Sequence, residues 1–397
     1  MTTTSLPSLS LATRMSRLGT ETAFEVLARA KQLEAEGKDI IHLEIGEPDF
    51  DTPSNIIEAG VEAMRGGYTH YGPAAGMPEA REVVADYVAR TRGIEVNANE
   101  VTIVPGGKPT MFYAMLALIE AGDEVIYPNP GFPIYESMIN FTGGTAVPCP
   151  IREVNHFALD PDDIISRLTP KTKMVVLNSP ANPTGGVTPK ESLEKVLAAL
   201  KDRPDIWILS DEIYSRMLYD GNEHVSPLQD PEIRDRCILL DGWSKTYAMT
   251  GWRMGFGVMR PDLAEVFTKL MVNSNSCTAS FSQRAGMEAL AGDQSAVDDM
   301  LQKFDVRRHR MTELVNDIPG FSCHKPVGAF YVFPNIRDTG LTSKEMQDRL
   351  LLEGGVSALA GTSFGAEGEG YIRFSYANSI ENIEKAMARV RKVVESL

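Results

Sequence analysis

Apolar residues first recur at helical spacing near the start of the chain. The stretch Thr20–Glu36 puts Phe24, Leu27, Ala28 and Leu33 on one face, with Thr20 as N-cap and Gly37 as stop. Between about residues 100 and 260 the pattern changes to short β-rich runs: Val101–Val104, Glu124–Tyr127, Met174–Leu177, Trp207–Ser210, Ile238–Asp241 and Gly255–Met259. Most are continuously apolar, as strands covered on both faces should be. Helical stretches such as Met111–Ile119 and Leu193–Leu200 lie between them. This alternation predicts a mostly parallel α/β sheet.

From about Ser280 the pattern changes again. It predicts a long helix over Ser295–Asn316, a strand at Ala329–Pro334, a helix near Lys344–Leu352, a strand at Tyr371–Tyr376 and a terminal helix from Ile380. The expected division is a large domain over 46–285 and a smaller α+β domain over 286–397. Residues 1–45 form an arm that packs with the smaller domain.

Composition narrows the class. A chain of 397 residues, 43% hydrophobic and 23% charged, is ordinary for a globular protein with a large core. The net charge of −15 argues against a nucleic-acid partner, where a basic stripe is the expected footprint. Cys149, Cys237, Cys277 and Cys323 form no CxxC pair, so buried, reduced thiols are expected. No apolar run approaches the roughly 18 residues of a spanning helix. The leader MTTTSLPSLSLATRMSR lacks an apolar core, so it reads as a frayed terminus rather than a secretory signal. A cytoplasmic protein is expected.

The candidate chemistry lies just after the apolar runs, where sheet ligands bind. Val101–Val104 runs into Pro105-Gly106-Gly107-Lys108-Pro109, an anion cradle at a helix start. Met174–Leu177 leads to Asn178 through Gly186, which includes Asn182. Trp207–Ser210 ends in Asp211-Glu212-Ile213-Tyr214. An acid closing an apolar strand is costly alone, so Asp211 is expected to have a cationic partner. Ile238–Asp241 leads to Gly242-Trp243-Ser244-Lys245, and a lysine there is atypical. The set suits an aldehyde cofactor with a phosphate and a pyridine nitrogen. Lys245 would form the Schiff base and Asp211 would hold the pyridinium proton.

These segments resemble the class I/II aminotransferases, which are fold-type I pyridoxal-phosphate enzymes, and among them the bacterial aspartate aminotransferase-like subgroup. The likeness runs from Ile45-Gly46-Glu47-Pro48-Asp49-Phe50 to Tyr371-Ile372-Arg373-Phe374-Ser375. Its most specific block is Ser244 through Gly255. The resemblance implies a seven-stranded type of sheet and pyridoxal 5′-phosphate as cofactor. It further implies that Lys245 shuttles a proton, that Asp211 pairs with the ring nitrogen, and that Asn182 and Tyr214 hydrogen-bond the ring's O3′. The Gly107 and Lys108 backbone, Ser244 and Arg253 would hold the phosphate, and Phe132 would stack on the ring. Arg373 would clamp the substrate α-carboxylate with help from the Gly46 amide. Tyr71 would reach the neighbouring subunit's phosphate in a homodimer. The chain departs from the family's habits at Ala360-Gly361, where Pro-Gly is common and a looser turn is expected. It departs also at Pro109, where Gln is common, and at Phe132, where Trp is frequent.

Two motifs are set aside. Gly361-Thr362-Ser363-Phe364-Gly365 fits a hydrolase pattern but is not expected to enter a helix, so it reads as a surface loop. The six histidines lack metal-site spacing, and no metal is expected. The leading expectation is amino transfer between amino acids and 2-oxo acids, with aspartate or aromatic donors. β-Elimination on the same fold is the alternative. A non-catalytic ligand sensor is the remote one, disfavoured because the segment before Thr20 is too short for a DNA-binding domain. Near the substrate side chain, Thr20 and Thr22 are candidates, weighed against a capping role and a solvated helix face.

Overall fold

The computed structural model describes residues 9–397. The first eight residues of the leader lie outside the described residues.

Seven strands form the main sheet: β1 (Val101–Val104), β2 (Glu124–Asn129), β3 (Thr145–Pro150), β4 (Thr172–Asn178), β5 (Trp207–Asp211), β6 (Cys237–Gly242) and β7 (Gly255–Val258). Their order is β1-β7-β6-β5-β4-β2-β3. The pairs β2–β3, β2–β4, β4–β5 and β5–β6 are parallel, and β7 is antiparallel to both of its neighbours. Alternate side chains enter two cores. Ile103, Leu239 and Phe256 pack on one face of the sheet, whereas Val104, Ile238 and Leu240 pack on the other. This double burial is why the runs are continuously apolar.

The six expected runs all became strands. The seventh strand, β3, was missed because Thr145-Ala146-Val147-Pro148-Cys149-Pro150 contains two prolines and is only partly buried. Both features are tolerated at the sheet edge it occupies.

Helix α1 (Thr22–Ala35) differs from its expected face. Ala23, Val26, Ala30 and Leu33 are buried, whereas Phe24 is 59% exposed. Thr20 is not the cap, since Glu21 takes that position without a side-chain capping bond. The N-terminal segment meets the C-terminal part of the chain. Ile41–His42 pairs in parallel with Val356–Ser357, and Ala30, Leu33 and Ile40 pack with Leu351.

A second sheet contains β8 (Tyr331–Val332), β9 (Leu359–Ala360) and β10 (Ile372–Ser375), antiparallel in the order β9-β10-β8. It shares a core with the helices Ser295–Asn316 and Ile380–Glu395 through Phe304, Phe330, Phe374 and Val390. All four cysteines are free, but only Cys149 and Cys237 are buried, and Cys277 and Cys323 are partly exposed. No helix among the described residues is long and apolar enough to cross a membrane.

Candidate active site

Asn178 and Asp211 end adjacent parallel strands β4 and β5 and are register partners. The segment carrying Ser244 and Lys245 leaves the next strand, β6, at the same edge. Helix α2 (Lys108–Leu118) starts beside them after the turn that follows β1. Its first-turn N–H groups have no intrahelical acceptors. Arg373 reaches the same place from β10. A cavity of about 510 Å³ lies where these segments meet. It is lined by Gly46, Gly107, Lys108, Phe132, Asn182, Asp211, Tyr214, Ser244, Lys245, Arg253 and Arg373. Of the residues expected to act in catalysis or to hold the cofactor and the substrate α-carboxylate, Tyr71 lies elsewhere, 92% exposed on its loop.

Lys245 Nζ donates to the Gly46 carbonyl. Burial lowers the Lys245 amine to about 8, against the pull of Glu21 and Glu47. Asp211 is buried and raised to about 6 by that burial. Hydrogen bonds from Tyr135 Oη at 2.6 Å and from the Ile213 N–H at 3.3 Å oppose the rise. The expected cationic partner is therefore not supplied by the described residues, and a phenol stands there instead.

Arg373 Nη1 donates to Asn182 Oδ1 at 2.9 Å, and Nη2 donates to the Glu44 carbonyl. Its guanidinium lies 4.4 Å from the Tyr331 ring centroid and 4.7 Å from that of Phe364. Tyr214 and Tyr331 share a 2.6 Å bond between their hydroxyls. A Cβ on Gly46 would collide with the Tyr331 hydroxyl, so glycine is required for that close approach. Gly106 sits at φ +87° directly against the Arg253 guanidinium, which donates to the Thr250 carbonyl at 2.9 Å.

Beneath Asp211 lies a buried charge network that the sequence reading missed. Arg92 Nε donates to Glu212 Oε2 at 2.9 Å, and Nη2 donates to Asp241 Oδ2 at 2.8 Å. His224 and the hydroxyls of Ser210 and Ser226 complete the shell of Glu212. Burial pushes Glu212 up, but the His224 and Arg92 charges bring it down to about 2. Burial holds Asp241 up at about 6 against Arg92. Tyr135, Tyr331 and Arg92 were invisible as site residues because their roles arise from long-range contacts. The signal available for Arg92 was the pair of acids, Glu212 and Asp241, at the ends of apolar strands.

Other expectations change too. Glu21, Ala23 and Phe24 line the cavity, rather than Thr20 and Thr22. The Ala360 turn is tied rather than loose, because its N–H donates to Gln347 Oε1 at 2.9 Å, a bond that proline could not make. The Gly361–Phe364 segment is a 3-10 turn, not a nucleophile elbow, and Phe364 is buried against Arg373 rather than on the surface. Asp220, Asp305 and His309 cluster, but both aspartates already bind the Arg308 guanidinium.

Comparison with known proteins agrees with this geometry. Residues 38–390 match the family described as aminotransferase class I and II. The chain is 41% identical to an aspartate aminotransferase of Pyrococcus horikoshii over 374 residues, 94% of each chain. It is 38% identical to aromatic-amino-acid aminotransferase 2 of Thermococcus litoralis, over 90% of this chain and 92% of that one. The solved aspartate aminotransferase of Thermus thermophilus with maleate superposes with a TM-score of 0.93 at 34% identity, covering 97% of this chain and all of that one. The fold, the strand-end constellation and these likenesses converge: the chain belongs to the class I and II aminotransferases.

Proposed function

We propose that the enzyme holds pyridoxal 5′-phosphate at Lys245 and moves an amino group from an L-amino acid to a 2-oxo acid. Aspartate is the first donor, aromatic amino acids the second, and 2-oxoglutarate the acceptor. The names of the relatives support both donor classes. The observation that carries the reading is the convergence of Lys245, Asp211 and Arg373 on one cavity.

The residues fit the cofactor. Asp211 is a buried carboxylate with no cation from the described protein, which suits a protonated ring nitrogen, while Arg373 Nε, buried without a hydrogen-bond partner, suits a substrate carboxylate. The Gly106–Gly107 turn, the start of α2 and Arg253 form a cradle for a phosphate. When bound, the cofactor supplies an aldehyde carbon and a protonated ring that withdraws electrons from the substrate Cα.

Asp211 holds the proton on the ring nitrogen. Lys245 would be the covalent attachment point, and its amine, which burial lowers to about 8 in the cofactor-free protein, would be the group that takes up and returns the substrate Cα proton. Asn182 and Tyr214 hydrogen-bond O3′, and Phe132 packs on the ring. The N–H groups of Gly107 and Lys108, with Ser244 and Arg253, hold the phosphate. Arg373 grips the α-carboxylate in a bidentate fork, assisted by the Gly46 amide. Tyr71 serves the partner's cofactor in a homodimer. We place the domain boundaries after residues 45 and 285, so that Lys245 and Arg373 stand on different domains.

Borohydride reduction of the loaded enzyme followed by peptide mapping tests the attachment, and a label on any lysine other than Lys245 overturns it. Incubation with aspartate or phenylalanine should release the matching oxo acid catalytically only when 2-oxoglutarate is present, and at most one equivalent per site without it. Pyruvate release from cysteine without an acceptor, and no amino transfer, would mean β-elimination instead.

A further inference from the structure

Four cationic side chains line the cavity: Lys108, Lys245, Arg253 and Arg373. In the reading proposed above, on which this inference rests, three of them are committed to the cofactor and to the substrate α-carboxylate. Lys108 contributes its backbone N–H to the phosphate, but its ammonium is free for another partner. That ammonium forms an ion pair with Glu21 Oε2, 5.4 Å from the Phe132 ring centroid and 5.9 Å from that of Phe24. Glu21 itself lines the cavity and stands immediately before helix α1.

We propose that Glu21 is a specificity-determining residue that occupies Lys108 in place of a substrate side-chain carboxylate. A substrate with an uncharged side chain leaves the pair intact, and the nearby walls formed by Ala23, Phe24, Ile45, Met111 and Phe132 receive it. A dicarboxylate must displace Glu21 to reach the Lys108 ammonium, because two carboxylates on one lysine repel each other. Both members of the pair retain partial solvent contact, so displacement is affordable, and the two substrate classes differ by a modest factor. The N-terminal arm thereby sets the acidic-to-neutral preference of a site otherwise built from the two sheets.

The test uses the cofactor-loaded enzyme with Glu21→Gln, Lys108→Gln and the double substitution. The first readout is calorimetric binding of maleate, a dicarboxylate without an amino group. The second is the ratio of kcat/KM for aspartate to that for phenylalanine. Glu21→Gln should tighten maleate binding and raise the ratio, each by roughly three- to fivefold. In the Lys108→Gln background, Glu21→Gln should change neither. Unaltered maleate binding in Glu21→Gln overturns the proposal. So does an equal effect with and without Lys108, which would mean that Glu21 acts only on the arm's structure. Enzyme that transfers no amino group from either donor would refute the functional reading, while the maleate measurement still decides the role of Glu21.

Discussion

Tyr135 and Asp211 share a 2.6 Å hydrogen bond in which the phenol donates to the buried carboxylate. The bond favours the ionised form against a burial that raises Asp211 to about 6. Tyr135→Phe should therefore raise the Asp211 pKa of the cofactor-free protein further and extend the fall in its pH–stability profile to higher pH. A profile that coincides with wild type would separate Tyr135 from the charge state of Asp211.

The same burial makes Asp211 a stability cost. Its folded pKa lies above the ordinary 3.8, so the folded protein holds this proton more tightly than the unfolded chain. Stability from this group is full below about pH 4 and declines as pH rises to about 6. Asp211→Asn should stabilise the cofactor-free protein at pH 8 by ~2 kcal/mol while abolishing most amino transfer. Urea denaturation of the cofactor-free proteins at pH 8 measures the first effect, and single-turnover kinetics of the loaded ones measures the second.

Lys245 should capture the cofactor through its neutral amine, which accumulates above a pKa of about 8. The rate of cofactor attachment to the cofactor-free enzyme should rise with pH through a midpoint near 8, well below the ordinary 10.5. Lys245→Ala should remove the covalent bond and reduce turnover by about a thousandfold or more. Stopped-flow absorbance follows both.

Arg373→Lys should weaken amino-acid binding by about ten- to a hundredfold, because an ammonium cannot make the two-pronged contact with a carboxylate. The loss belongs in KM for every donor. A loss confined to one side-chain class would place Arg373 at the side chain instead.

Arg92→Met should cost about 3–5 kcal/mol, since it takes from the buried Glu212 and Asp241 the guanidinium they share and leaves Asp241 without an ion-pair partner. Chemical denaturation reads the loss directly. The variant should also be more sensitive to rising pH, because Asp241, already held up at about 6, loses its cation.

Most of the fold was legible because this sheet is buried on both sides. Strands such as Cys237–Gly242, with every residue buried, write an unbroken apolar run into the sequence. The edge strand Thr145–Pro150 writes no such run. The site was legible where a charged or polar residue interrupts an apolar run, as at Asp211, or follows one closely, as at Lys245. It was not legible where partners come from afar. Arg92 lies 120 positions from Glu212, and Tyr331 lies 117 from Tyr214. The amphipathic reading of the first helix failed at Phe24 because an aromatic at the rim of a cavity looks, in sequence, like one turned to the core.

The missing side chain at Gly46 has a wider consequence. The space a methyl group would fill is taken by the Tyr331 hydroxyl, which bonds Tyr214, while the Gly46 carbonyl accepts from Lys245. The Tyr331 ring also carries the Arg373 guanidinium on its face. One atom-sized gap thus works as a gauge among segments that reach the site from distant parts of the chain. Widening it by a single carbon would alter, together, the distances among the nucleophilic amine, the phenol pair and the carboxylate clamp. Alanine at this position should therefore behave less like a local defect than like a change in the spacing of the whole machine.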